Sequence, residues 1–222
     1  MKLAYLLRYY PTRSETFVYD EARALLAAGH ELRCFPMGAR EDGDELPDWP
    51  VLRPPKWARL RALPAAARAF LDWLPRKRVA EACWVAELLQ ADEQLHVHFA
   101  GEAAEWALLI HRLTGRRFGL TVHAVDLFKP RPSLPQVLAA ADPLITISGH
   151  NQRLLRERYG VEARLVRSGV ELGQGRPAEG TEVVAVARRV PKKGLDLLEA
   201  ACARLGLPLR VLSGASRAQV RA

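Results

Sequence analysis

Short apolar runs alternate with helical patterns along almost the whole chain, and that alternation confines it to one class of fold. Lys2 to Leu7 reads as a buried strand. Tyr9 to Arg13 is a loop broken by Pro11. Ser14 is placed to cap a helix whose apolar positions Phe17, Ala24, Leu25 and Ala28 recur at helical spacing, with Gly29 ending it. Glu31 to Phe35 is the next strand. Strand, loop, helix and strand in that order imply a parallel sheet in an α/β fold.

The same reading predicts helices near 57–74, 76–91, 101–114, 134–141, 149–159 and 192–205, and strands at 95–99, 118–123, 144–147, 163–167, 182–187 and 208–212. Met37 to Pro55 is a loop carrying Glu41, Asp42, Asp44, Glu45 and Asp48. Residues 172–181 (LGQGRPAEGT) read as a linker. The expected organisation is an N-terminal α/β domain over 1–171, the linker, and a β-α-β unit over 182–222. One β-α-β unit leaves sheet edges and faces uncovered, so it is too small for an independent domain.

Composition narrows the classes. The chain has 222 residues, and its apolar fraction of 49% is too high for a disordered protein. Cys34, Cys83 and Cys202 are scattered, with no C-x-x-C pair, which argues against a disulfide framework or a zinc ribbon and fits a reducing cytosol. The N-terminal apolar run is too short for a signal peptide and is interrupted by Arg8. No 18-residue apolar stretch exists that would span a membrane. The net charge of +8 suits nucleic acid, anionic lipid or phosphate-bearing substrates without choosing among them.

Dinucleotide-binding, P-loop and hydrolase-elbow motifs are missing. His96 and His98 form an H-x-H on a strand, which puts both on one face. A metal reading needs a third ligand, and the sequence offers no obvious one, so no metal site is expected. His123 follows a predicted parallel strand, at the carboxyl edge where α/β proteins bind ligands. Asp126, three residues on, is placed either to orient it or to cap the next turn. Ser14, Glu15 and Thr16 at a helix N-terminus offer backbone N–H groups to an anion, and an ordinary N-cap accounts for them as well. Arg188 and Lys193 flank a strand-to-helix turn, where two cations suit a diphosphate.

Four segments in order resemble glycosyltransferase family 4, and in particular its subgroup that builds colanic-acid-type exopolysaccharides. Tyr10-Pro-Thr-Arg-Ser-Glu-Thr-Phe17 resembles the "FP..SETF" loop. Val97-His-Phe-Ala100 with Thr121-Val-His-Ala-Val-Asp126 resembles "H.HFA … T.HA.D". Ile145-Thr-Ile-Ser148 with Ser168-Gly-Val-Glu171 resembles "..IS" and "NGVD". Val186-Ala-Arg-Arg-Val-Pro-Lys-Lys-Gly194 resembles "GRL..KKG". The chain departs from these patterns at Ser168, Glu171, Ala187 and Arg189.

The resemblance implies a retaining GT-B enzyme: a Rossmann-like N-terminal domain with a parallel sheet, and an incomplete second Rossmann-like domain. It implies a UDP- or GDP-sugar donor, no cofactor and no metal. His123 would touch the donor sugar, with Asp126 beside it, and Arg188 and Lys193 would hold the diphosphate. Ser14, Glu15 and Thr16 would form an acceptor or phosphate loop, and His98 and Ser148 would line the substrate. Transfer would run on the donor's front face, with no carboxylate nucleophile. Family members carry two glutamates eight apart after the Arg/Lys motif. Glu171 and Glu179 have that spacing but precede the motif, so the match is chance. The chain therefore reads as stopping about a third of the way into the donor domain. That leaves two functional readings: a glycosyltransferase, or a non-catalytic interaction protein whose partner completes the domain.

Residues 53–78 carry eight cations against Asp72 alone, a net +7, interleaved with Trp57, Leu60, Leu63, Phe70, Leu71, Trp73 and Leu74. Such a helix suits a membrane interface, and a packed helix with a solvated basic face accounts for the same pattern equally well. The resemblance implies a polyprenyl-linked or polysaccharide acceptor and a cytoplasmic enzyme peripheral to the inner membrane face. No nucleic-acid-binding module accompanies the charge.

Overall fold

The computed structural model describes residues 1–12, 15–38, 47–60, 62–72, 74–169 and 180–214. Ser14, the acids Glu41 to Glu45, Arg61, Trp73, Glu171 and Glu179 lie outside them, as do most of the expected linker and the tail from 215. The chain divides into two compact units, Met1–Val170 and Glu171–Ala222.

The first unit is a six-stranded, all-parallel sheet. Its strands are β1 (Lys2–Leu7), β2 (Glu31–Pro36), β3 (Glu93–His98), β4 (Phe118–Val122), β5 (Leu144–Thr146) and β6 (Arg164–Leu165), in the order β2-β1-β3-β4-β5-β6. Helices α1 (Thr16–Ala27), α2 (Ala65–Arg68), α3 (Arg76–Leu88), α4 (Glu102–Thr114), α5 (Ala124–Phe128), α6 (Leu134–Ala140) and α7 (Gly149–Tyr159) connect the strands. The second unit pairs β7 (Val183–Val186) with β8 (Leu209–Leu212) in parallel across α8 (Leu195–Leu205).

Because strand side chains alternate between faces, the sheet feeds two cores. Ala4, Leu6, Leu95, Val97, Phe118, Leu120 and Val122 join residues of α2, α3, α4 and α6 in the larger one. Trp106 on α4 is the largest fully buried side chain there. Fully burying one such leucine, valine or phenylalanine contributes about 1.5–3 kcal/mol. The opposite face is smaller: Leu3, Tyr5, Leu32 and Cys34 meet Val18 and Ala22 of α1.

The structure corrects several predicted elements. The helix expected over 57–74 is a 3-10 turn, Lys56–Arg59, followed by the short α2. Pro64 is the break: it cannot donate a helix hydrogen bond and it restricts the residue before it. α5, unforeseen in the sequence, begins directly at Ala124. The strand expected through Phe99 stops at His98, and Phe99 turns with φ of +70°, a left-handed conformation rare for a bulky residue. The helix expected from 192 begins at Leu195, because Lys192 and Lys193 form a 3-10 turn and Gly194 follows at φ of +61°.

The basic segment is largely tied inward. Arg59 Nε and Arg78 Nη1 bind the two carboxylate oxygens of fully buried Glu81 at 2.6 and 2.8 Å. Arg78 also donates to the Met37 carbonyl at 2.5 Å, and Arg53 to that of Tyr10 at 2.8 Å. Trp57 and Leu60 remain 61% and 80% exposed beside exposed Lys56. Among the described residues no helix is long and apolar enough to cross a membrane.

Glu81→Ala strips both arginines of their acceptor. An expected loss of about 2–3 kcal/mol, the low end for a broken buried pair because water still reaches Arg59, would show as a lowered urea midpoint.

Candidate functional site

The site lies where β3 and β4 end. His98 is the last residue of β3, and His123 follows β4 directly as the residue before α5. Parity sends His96, His98 and Thr121 to the face that α1 covers, and the strand register sets His98 beside Thr121 and Tyr5 beside His96. A cavity of about 340 Å³ opens there, lined among others by Tyr5, Phe17, Glu21, His96, His98 and His123. Arg167 and Ser168 also line it. The open face continues towards the amino ends of the strands as a larger depression that also includes His96 and Gly119. Arg117 there pairs with Asp142 at 3.1 Å, and Arg116 donates to the Glu93 backbone carbonyl at 2.7 Å.

His123 is held by rings on several sides. Phe99 stands 4.2 Å away, Phe17 4.9 Å and His98 5.9 Å, centroid to centroid. The left-handed turn at Phe99 is what brings its ring there, at a backbone cost on the order of 1–3 kcal/mol. The Nε2 of His123 is buried without a hydrogen-bond partner among the described residues. Burial, reinforced by His98, lowers its pKa to about 4, against a weaker opposing pull from Glu21. At neutral pH it is therefore an uncharged imidazole with one unused polar atom.

Asp126 acts on the main chain of His123: its Oδ2 accepts from the His123 backbone N–H at 2.8 Å. Burial pushes its carboxyl up to about 6 against those backbone contacts. Ser148 caps α7, its hydroxyl accepting from the Asn151 N–H at 3.1 Å, and it is not among the residues lining the cavity. Glu15 and Thr16 sit at the start of α1, outside that lining, and Ser14 lies outside the described residues. Arg188 follows β7 and Lys193 closes the 3-10 turn before α8, both exposed. Arg189 differs, pairing with Glu199 at 3.0 Å.

Sequence reasoning missed Glu21 and Tyr5. Glu21 Oε1 accepts from the Tyr5 hydroxyl at 2.5 Å and stands 3.1 Å from His98 Nε2. Burial alone would raise its carboxyl, but the His98 and Tyr5 contacts outweigh it and hold it at about 2. His96 Nε2 lies 3.0 Å from the Thr121 hydroxyl. Burial, with His98 and His123 nearby, lowers its pKa to about 3. One signal was available: Glu21 is four residues after Phe17 and so shares its helix face. Glu21, His96 and His98 are also the one described cluster whose donor atoms could hold a metal, all lying within 4.8 Å of one another.

Acid stability follows with a definite sign. Unfolding returns His96 and His123 to their ordinary 6.5, so between about pH 4 and 6 the unfolded chain binds two extra protons. Asp126, at about 6 folded against 3.8 free, gives one back to the folded state. The net is one proton, a loss of about 1.4 kcal/mol per pH unit on acidification. Below about 4.5, Glu21 adds a further loss of the same sign. Asp126→Asn should steepen the slope in the pH 4–6 window to about 2.7 kcal/mol per unit, measured by urea unfolding across that range.

Known proteins resemble this chain in family and in fold. The family model described as Glycosyltransferase Family 4 matches residues 14–174. A solved α,α-trehalose-phosphate synthase (UDP-forming) from Burkholderia vietnamiensis aligns with all of this chain and 66% of its own, with a TM-score of 0.55 and 15% identity. An E. coli structure, trehalose-6-phosphate bound with UDP-2-fluoro glucose, aligns over 95% of this chain and 64% of its own, at 0.50 and 15%. The α,α-trehalose 6-phosphate synthase of Burkholderia multivorans aligns over 99% and 64%, at 0.50 and 16%. The chain thus spans slightly under two thirds of these structures, and at such identities they speak for the fold, which is α/β of GT-B type. No curated protein matches the sequence. With the family model covering most of its length, the chain belongs to glycosyltransferase family 4.

Proposed function

We propose that this protein transfers a sugar, with retention, from a UDP- or GDP-sugar to a polyprenyl-linked or polysaccharide acceptor at the cytoplasmic membrane surface. The observation that carries the reading is His123: a neutral imidazole with an unpartnered, buried Nε2, at the carboxyl end of a parallel strand and in a cavity. That is where α/β proteins of this kind receive ligands, and an uncharged ring can hydrogen-bond a sugar hydroxyl without binding an anion in its place.

In this reading the donor's bond to its diphosphate breaks on the same face as the new bond forms, and the departing phosphate takes the acceptor's proton. The protein's part is to stabilise the charge that develops on the leaving group. Arg188 and Lys193 suit that task, because among the described residues neither is in an ion pair and both flank the turn before α8. Two cations meet the diphosphate charge, so transfer needs no Mg²⁺. Asp126 positions His123 through its backbone N–H. Trp57 and Leu60, exposed beside Lys56, supply the membrane contact.

A second reading, a non-catalytic interaction protein, is favoured by one observation. Val184, Val186, Leu197 and Leu205 of the second unit are 49–73% exposed, an apolar surface that suits a protein partner.

Calorimetric titration with UDP- and GDP-sugars separates the two readings. Arg188→Ala or Lys193→Ala should weaken donor binding about 10- to 100-fold, the worth of one charge-assisted contact. Unchanged affinity would remove the assignment. His123→Ala should lower kcat of transfer to a lipid-linked acceptor far more than it lowers donor affinity. Trp57→Ala with Leu60→Ala should reduce co-sedimentation with anionic-lipid vesicles by about 10-fold.

A further inference from the structure

We propose that Glu21, His96 and His98 form a three-ligand site for a divalent transition-metal ion of the zinc class. The site does not depend on the transferase reading.

Two imidazoles and a carboxylate are a donor set that zinc accepts when one position is left for water. Here the imidazoles come from alternate positions of β3, on one face, with ring centroids 5.1 Å apart. The carboxylate descends from α1. His98 Nε2 and Glu21 Oε1 are 3.1 Å apart, close to the ~3.4 Å that tetrahedral bonds of ~2.1 Å impose on two donors. The third donor lies within 4.8 Å of both. Closing that gap needs a shift on the order of 1 Å by the His96 ring as well as by the Glu21 side chain, which is 45% exposed.

The surroundings agree. The Tyr5 hydroxyl donates to Glu21 at 2.5 Å, and the Thr121 hydroxyl lies 3.0 Å from a nitrogen of His96. Such outer partners orient metal ligands. Gly119 makes the room: a Cβ there would stand 2.6 Å from His96 Nδ1. The adjoining cavity of about 340 Å³ leaves the fourth position to water. A bound ion would pin α1 to β3, and with α1 it would pin Phe17 against His123.

The test is to strip the full chain of metal with a chelator, titrate it with Co²⁺ and Zn²⁺, and read ion content and the visible Co²⁺ spectrum. One ion per chain with a tetrahedral spectrum is expected. Zinc at about 100 times its Kd should also raise the melting temperature by roughly 5 °C or more. Glu21→Gln, His96→Ala and His98→Ala should each weaken binding at least 10-fold, and Tyr5→Phe about 10-fold. His111→Ala and His150→Ala should leave it unchanged. If the wild-type chain takes up no ion and its melting temperature stays fixed, the three groups are an ordinary hydrogen-bonded cluster and the proposal is wrong. Equal affinity in a folded Glu21→Gln variant overturns it too.

Discussion

On β3, Leu95 and Val97 enter the main core, and that obliges His96 and His98 onto the opposite face. The alternation of a strand leaves no other arrangement. Shifting the strand by one residue would bury two imidazoles in the core and send Leu95 and Val97 to the cavity. The hydrophobic drive that assembles the larger core therefore also fixes the chemistry of the smaller face. Nothing at the site has to stabilise its own position unaided.

The smaller face collects groups that cannot all be charged together. His96 and His123 are held neutral by burial and by His98 beside them, while the carboxylate of Glu21 stays ionised through its contacts with His98 and Tyr5. Asp126 sits just outside this group and spends one oxygen on the main chain of His123. The polar residues thus divide by task. Some hold backbone, some hold one another, and His123 Nε2 is left unused.

Much of this was legible in the sequence, for reasons that can be named. The parallel sheet follows from strand runs separated by helical stretches, and the H-x-H pair from a period of two. His123 is legible at a strand end because the strand-like stretch that becomes β4, Phe118–Val122, ends immediately before it. What stayed hidden was what tertiary contact creates. Glu21 looks like one more polar residue on a surface helix until α1 is laid across β1 and β3. The break at Pro64 was visible as a residue, yet the apolar spacing around it argued for a continuous helix, and covalent restriction outweighed spacing. Arg53, Arg59, Arg76 and Arg78, which the sequence leaves between a membrane face and a solvated one, are engaged with carbonyls and Glu81, because guanidinium groups reach far and donate widely.

The left-handed turn at Phe99 sets two requirements against each other at a single residue. Glycine would suit that backbone better, yet glycine has no ring to set against His123. A chain selected for robustness alone would drift toward glycine there, and one selected for a fixed imidazole would keep the aromatic. The residue now present means that the loop after β3 is not the most stable this fold could make. Engineering that loop for thermal tolerance would loosen the ring that the site depends on.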